Sequence, residues 1–530
     1  LQAFFSPRSA FWSYDDANKG QRKDYAIINE TGLLGVRVLR AGMLTGLSNQ
    51  TSPWFRLGAD IPEIDDQTDV RVWFEEVERR VREVFLKSNT YQTLLTSYGE
   101  EGLYGTTAFL VLEDDATVIR CHPYPIGSFY LMMDDTLRVD GCMRILTMTV
   151  RQMVERFGYD NVSESMQVLY DSNAGGMKET SYPVVSVIHK GSYFGSPKEG
   201  GMKPPMPWVS TWYELSSWNS QKGILRKSGF MESPLIAGRW SVVGENVYGE
   251  SPAMDCLGST MSLQAWEERL AQAAEKQFNP PMVASSSIDP RKLTTLPGDI
   301  SFVDDDKAVF RSAYDVQFRL EGGLQQIQRI EGRINDAMYR SLFQMFSESD
   351  RREITAEEIR ARMQEKMQVL GPVVERNVEE ILAPLVRRTI SIMQRKNLLP
   401  PMPKAMQGRL VKIEFVSILA KAAKIGRLNS ISQFMTFVGS EAAVNQGVFD
   451  LVDLDDLTRQ FAKDSDLPPT SLRSEEAVAQ IRADRDQQQK QAQAADNAQK
   501  LAAAAGNLAN AKTGTGSLLD QALPALANGG

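Results

Sequence analysis

Histidine is almost missing from this chain: 530 residues contain two, His122 and His189. Neither has a second metal-type ligand at helical spacing, and Cys121-His122 runs straight into Pro123-Tyr-Pro125. Both histidines therefore read as structural side chains, and no metal site is expected. Cysteine is scarce as well. Cys121, Cys142 and Cys256 stand far apart without metal-like pairing and are expected as reduced core residues; a Cys121–Cys142 disulfide is the alternative. A nucleophile elbow of the form Gly-x-Ser-x-Gly is absent. So is a basic excess: 59 Lys and Arg stand against 67 Asp and Glu, a formal net charge of -8. Proteins that coat DNA take their affinity from neutralised phosphates and carry surplus cations, so this balance argues against that class. No apolar run approaches the roughly 18 residues of a membrane helix. Leu1–Tyr14 is aromatic and lacks the charged-then-apolar pattern of a signal peptide. The expectation is a soluble protein made inside a cell.

One stretch comes close to a phosphate loop. Gly99–Thr107 reads GEEGLYGTT, but it lacks the lysine that a P-loop places after its last glycine. It also lies between a helix and a strand, the reverse of P-loop order. A tight helix-to-strand turn is expected there, and an ATP-driven motor is not. Asp304-Asp305-Asp306 has no ordered glycine pattern around it and reads as a solvated turn. The cations Arg351, Arg352, Arg360, Arg362 and Lys366 are interleaved with Glu353, Glu357, Glu358 and Glu365. By residue type alone this is a solvated, ion-paired helix.

The length suggests roughly two to four domains. Hydrophobic residues at 42% and charged residues at 24% give an ordinary globular balance, with enough apolar material for a core. Helical periodicity runs from Tyr25 to about Leu47. It returns over Asp69–Gly99 as one long helix or as two joined near Ser88-Asn89. From residue 106 to 245 the texture changes to short β-rich runs such as Ala108–Leu112, Met143–Val150, Val184–Ile188 and Trp208–Tyr213. Ser251 with Pro252 opens a helix to about Phe278, which stops at Asn279-Pro280-Pro281. An irregular insert over 282–313 precedes a second helix from Tyr314 to about Phe346. Thr355-Ala-Glu-Glu358 is a capping box that starts another, and further helices follow to about Phe461. From Ser474 the chain is rich in Ala and Gln and too poor in large apolar groups to order itself alone.

The order of these segments resembles a known family, the head-to-tail connecting (portal) proteins of short-tailed phages, the podoviruses. The resemblance rests on Leu44–Leu47 followed by Pro53–Leu57; Ser88-Asn89 with Gly102–Thr106; Arg138–Gly141 with Arg144; and Gln152 to Gly158. It rests above all on Gly229-Phe230, Glu232, Pro234, Arg239-Trp240, Gly244-Glu245 and Tyr248–Pro252, and finally on Ile354–Arg360.

The resemblance implies an α+β portal fold: an α/β wing, two long stem helices bracketing a small clip, a helical crown and a C-terminal helical barrel. By position the wing is 1–250, the stem helices 251–278 and 314–346, the clip 279–313, and the tunnel loop and helix 347–371. The crown with the remaining wing helices is 372–465, and 466–530 is a barrel or a disordered tail. It further implies a homo-oligomeric ring, normally of twelve, at one capsid vertex of the virion, assembled in the host cytoplasm and passing double-stranded DNA during packaging and ejection. The implied partners are the terminase large subunit, a tail adaptor, and the major capsid and scaffolding proteins, with no membrane, cofactor or catalysis. Arg351 and Arg352, with Arg360, are the implied DNA contacts, and Arg291 and Lys292 the implied clip contacts with terminase or adaptor. A mildly acidic chain suits a channel in which DNA slides rather than sticks. The competing readings are another structural virion protein, such as a tail adaptor or internal head protein, and an enzyme acting on nucleic acid.

Overall fold

The computed structural model describes residues 1–6, 27–65, 67–172, 176–194, 205–217, 223–279, 282–284, 310–312, 320–345, 370–409, 411–416, 434–440 and 475–510, together with 453, 455, 457, 458 and 461. The chain divides into two units, residues 1–65 with 73–426 and residues 66–72 with 427–530.

The first unit begins with helices whose apolar spacing is plain in the sequence. In α1 (Thr31–Leu47), Val36, Leu39, Met43 and Leu47 are buried, one stripe along the helix. Trp54 follows, buried against Phe55, Phe85 and Phe415 at ring separations of 4.7, 5.8 and 6.2 Å, and its indole N–H donates to the Tyr91 hydroxyl. Strand β1 (Phe55–Ala59) pairs antiparallel with a strand at Val411–Phe415, which closes this cluster. The expected run of helices through 372–465 did not contain that strand. Five residues are too few for periodicity to reveal, and the partner lies at the other end of the unit.

Periodicity left open whether Asp69–Gly99 holds one helix or two. There are two, α2 (Thr68–Lys87) and α3 (Thr90–Tyr104). Asn89 at the joint accepts from the Cys121 amide at 2.9 Å and donates to the Cys121 carbonyl at 2.7 Å. The joint is thereby stitched to a strand, a use of Asn that helix propensity alone does not reveal.

Two antiparallel sheets follow. In the smaller, β2 (Thr106–Asp114) lies between β3 (Val118–Tyr124) and β9 (Leu235–Arg239). The larger is a meander of β4 (Phe129–Met133), β5 (Val139–Thr149), β6 (Ser181–Tyr193), β7 (Met206–Glu214) and β8 (Ile224–Phe230). Helices α4 (Val150–Phe157) and α5 (Glu164–Asp171) fall between β5 and β6, and α4 starts on a capping box of Thr149 and Gln152. One face of the meander carries two apolar clusters. Cys142 and Ile188 pack with Ala108, Leu110 and Ala237 of the smaller sheet. Further along the same strands, Met148 and Val184 pack with Val150, Met153 and Phe157 of α4. All three cysteines are buried and free, so the disulfide alternative falls away.

The chain then runs through α6 (Pro252–Asp255), α7 (Leu257–Phe278), β10 (Met282–Ala284), β11 (Phe310–Ser312), α8 (Leu320–Ala337) and α9 (Arg340–Met345). Two expected helices are interrupted here: Cys256 separates α6 from α7, and Tyr339, at φ 54°, separates α8 from α9. Residues 370–377 are helical, continue through a π-helical turn at Val378–Leu382, and lead into α10 (Ala383–Arg395). Arg388 of α10 is buried and donates to the Val111 and Glu232 carbonyls, which fixes the helix across the smaller sheet.

One carboxyl of this unit, Glu101, is fully buried, and two more, Glu78 and Glu100, are half-buried. Burial pushes Glu101 up to about 8 against the opposing hydrogen bond from Asn377, and pushes Glu78 and Glu100 up to about 7. Glu101 Oε2 and Asn377 Oδ1 are both buried without a described partner, and a protonated Glu101 supplies the missing donor. The folded chain therefore binds protons that the unfolded chain releases near 4.5. Stability should fall as pH rises from about 4.5 to about 8, by up to about 1.4 kcal/mol per pH unit for each group, and then level off. Urea midpoints should be higher at pH 5.5 than at pH 8, and Glu101→Gln should flatten the profile. An unchanged slope in that variant would contradict the assignment.

In the second unit, α11 (Glu475–Asn510) spans 36 residues. Its side chains over 478–503 are almost all exposed, and Arg482 pairs with Asp455 at 2.6 Å. Among the described residues of either unit, no helix is long and apolar enough to cross a membrane.

Candidate functional site at the root of the paired helices

Helices α7 and α8 pack side by side, and a two-stranded ribbon follows the first and precedes the second: Met282 pairs with Ser312 and Ala284 with Phe310. Gly323 allows their close approach, since a Cβ there would lie 2.7 Å from Leu270 Cδ1.

The pair is rooted where two segments singled out by the resemblance meet. Gly105 ends α3 at φ 77°, a conformation that favours glycine. A Cβ on it would lie 2.1 Å from the Gly249 carbonyl oxygen, and one on Gly249 would lie 2.3 Å from the Gly105 oxygen. Around this glycine pair the Trp240 amide donates to the Gly105 carbonyl at 2.9 Å, and the Gly249 amide donates to Thr106 Oγ1 at 2.9 Å. Ser251 then caps α6 by accepting from the Met254 amide, and its hydroxyl donates to the Leu103 carbonyl at 2.9 Å. One serine thus starts the outgoing helix and ties it to the end of α3. The far end of α8 returns to the same place, with the Tyr339 ring 5.9 Å from that of Trp240.

A polar clasp holds the pair further along. Gln264 Oε1 accepts from the Ile28 and Asn29 amides at 2.6 and 2.8 Å, and its Nε2 donates to the Asn29 carbonyl at 2.9 Å. Asn29 Nδ2 reaches Glu267 of α7 and Glu331 of α8, each at 2.9 Å. A single side chain therefore bridges both helices. Sequence reading missed these residues. Asn29 sits just ahead of a helix and is legible as a cap, but its partners lie 238 and 302 positions away.

Neighbouring side chains bury an ion pair. Arg239 donates to Glu380 at 2.6 Å with side-chain exposures of 6% and 18%, and Arg376 approaches the same carboxylate at 3.7 Å. Beside the junction is an open, largely apolar pocket of ≈ 240 Å³ lined by Tyr104, Ile126, Phe129, Tyr130, Tyr248 and Met254. That is below the usual ~300–1,000 Å³ of small-molecule sites.

The residues expected to touch DNA, Arg351, Arg352 and Arg360, lie outside the described residues, as do Arg291 and Lys292 of the expected clip. His122 is on β3 and His189 on β6, where its Nδ1 lies 2.8 Å from the Lys190 carbonyl. Among the described residues no three His, Cys, Asp or Glu side chains form a group able to hold a metal ion. What the geometry provides is mechanical: a sheet-bearing body with two long helices rooted in it by backbone contact.

Known proteins share this sequence over almost its whole length. A family described as "Bacteriophage head to tail connecting protein" matches residues 1–473. The portal protein of Salmonella phage epsilon15 is 38% identical over 531 residues, covering 100% of this chain and 94% of that one. A probable portal protein of Bordetella phage BPP-1 is 34% identical over 522 residues, covering 97% and 93%. A chain from the virion of a native gene transfer agent particle aligns at a TM-score of 0.36 and 10% identity, covering 78% of this chain and 88% of that one. The chain belongs to the bacteriophage head-to-tail connecting protein family, the portal proteins.

Proposed function

We propose that this portal protein forms a ring, of twelve copies as is usual in the family, at one capsid vertex, with double-stranded DNA passing along its axis during packaging and ejection. The observation that carries the reading is family membership through residue 473 with full-length relatives named as portal proteins. The helix–ribbon–helix supports a division of labour within the subunit. Helices α7 and α8 would line the channel as the stem, and the segment between them would be the clip that meets the terminase large subunit and later the tail adaptor, with Arg291 and Lys292 as its cationic contacts. The sheet-bearing body would be the wing, facing the major capsid and scaffolding proteins. Helix α11, exposed at almost every position over 478–503 in one chain, gains neighbours when rotational symmetry sets copies side by side, which favours a barrel at the C-terminal end.

Arg351, Arg352 and Arg360 are assigned to contact with DNA phosphates in the channel. The acidic residues interleaved with them keep the contact loose enough for sliding. Negative-stain microscopy of the purified chain should show rings with an axial hole, and a compact monomer would sink the reading. Arg351→Ala with Arg352→Ala should leave rings intact and reduce packaged or retained DNA about tenfold or more. Normal packaging and retention would remove the loop from the channel contact.

A further inference from the structure

The larger sheet carries a row of polar side chains at the seam between its two apolar clusters. Strand register sets Arg144 of β5 opposite Ser186 of β6, Ser186 opposite Trp212 of β7, and Trp212 opposite Arg226 of β8, so the four share one face. Along β5 and β6 that row lies between Cys142 and Ile188 of one cluster and Met148 and Val184 of the other. Both walls of the seam are basic. Strand β3 contributes Arg120 and His122, and α4 contributes Arg156, whose guanidinium lies 4.5 Å from the centre of the Trp212 ring. The Arg144 guanidinium lies 4.2 Å from the centre of the Tyr124 ring.

Two features distinguish this seam from a solvated basic face. Ser186 is 2% exposed, and its hydroxyl has no hydrogen-bond partner among the described residues; the same holds for the buried Arg144 Nε. Buried polar groups left in this way are costly unless something fills the place. Asp114 faces Arg120 and His122, but the cations outnumber it. Arg120, Arg144, Arg156 and Arg226 form no ion pair with any described residue. Glu214, two residues beyond Trp212 on β7 and opposite Val184, is already taken by the Ser163 amide and hydroxyl. His122 is held below its usual value by burial first, then by Arg120, Arg156 and Arg144. Arg156 is lowered by burial first, with Arg226 and Arg144 contributing.

We propose that this seam is a phosphate-binding cleft that holds a nucleic-acid backbone, with Arg144 and Ser186 at its floor and Arg120, His122, Arg156 and Arg226 at its rim. A guanidinium held over an aromatic ring is fixed in place without spending its charge on a carboxylate, and its planar N–H fork matches a phosphate in a two-pronged contact. Arg144 and Arg226 stand three strand spacings apart, about 14 Å, too far for one phosphate and suited to two phosphates separated by a third along one backbone. An acidic peptide is the weaker fit, because peptide sites need apolar pockets for anchoring side chains and here arginines cover the ring faces. The cleft is local, so the overall net charge of -8 does not oppose it.

The test is fluorescence anisotropy of a labelled 20-base-pair DNA duplex bound by the full chain, over a series of salt concentrations. All variants carry R351A/R352A, so failure of the channel assignment leaves this result untouched. Arg156→Gln with Arg226→Gln changes two exposed residues and should weaken binding about tenfold. It should also lower the salt slope by about 1.8, at 0.9 per lost phosphate contact. Arg138→Gln with Lys412→Gln removes the same charge elsewhere and should leave both nearly unchanged. Equal losses in the two pairs, or no loss in the first, would overturn the proposal. So would displacement of the duplex by inorganic phosphate at equal phosphate concentration, which points to a free-anion site, or equal displacement by oligoglutamate, which points to an acidic protein partner.

Discussion

Arg239→Met should lower the stability of the folded chain by about 3–5 kcal/mol, because it strands a carboxylate rather than merely removing a contact. Glu380 is 18% exposed and receives two guanidinium nitrogens of Arg239; Arg376, at 3.7 Å, is too distant to take their place. Arg239 also donates to the Leu137 carbonyl, so three segments lose a common anchor. Urea unfolding of the single variant and of Arg239→Met with Glu380→Leu distinguishes the causes. The double variant should recover most of the loss, since replacing a buried pair with apolar groups is often neutral. A single-variant loss below about 1 kcal/mol would show that the pair is well solvated after all.

Substitution at the glycine pair should cost nearly as much and act on the paired helices specifically. Gly105→Ala adds a methyl carbon 2.1 Å from a backbone oxygen at a φ of 77°. Strain and overlap together put the loss on the order of 2–5 kcal/mol. The neighbour is backbone, so no side chain can swing away. The Tyr248–Ser251 turn must move, and with it the start of α6 and α7. Limited proteolysis should find a new cut there, with ring assembly lost at concentrations where the parent chain assembles. Gly46→Ala is the control, because nothing lies within 4 Å of that position in α1. It should be neutral or gain up to about 1 kcal/mol from helix propensity. Equal effects at the two sites would refute the contact argument.

Local chemistry made much of this chain legible. Ser251-Pro252 announces a helix start, and the turn at Gly105 follows from a glycine placed between a helical and a strand-like run. Tyr339 was not legible. A bulky residue at φ 54° follows α8, and its ring meets that of Trp240, nearly a hundred positions earlier. The strand at Val411–Phe415 was hidden for the same kind of reason: its partner is Phe55–Ala59, and five alternating residues carry little periodic signal by themselves.

The candidate site divides in the same way. Tyr248–Pro252 and Gly102–Thr106 were both singled out in the sequence, yet nothing in one dimension says that their glycines touch. Asn29 reads as a cap, and its reach to Glu267 and Glu331 exists only after both helices have docked. The sheet row is the clearest case. Arg144 entered only beside Arg138–Gly141 in the resemblance, Ser186, Trp212 and Arg226 belong to no such motif, and only strand register brings the four to one face.

By itself the sequence determined most of the helices and the β-rich region between them, the helix start at Ser251-Pro252 and, through its ordered motifs, its place among portal proteins. Capping, periodicity and residue chemistry act over a few positions and can be read in order. Only the tertiary structure decided which glycines meet, which carboxylate is clasped by which amide, and where unpaired cations gather. Those outcomes depend on long-range pairing and desolvation, which have no counterpart in the order of residues.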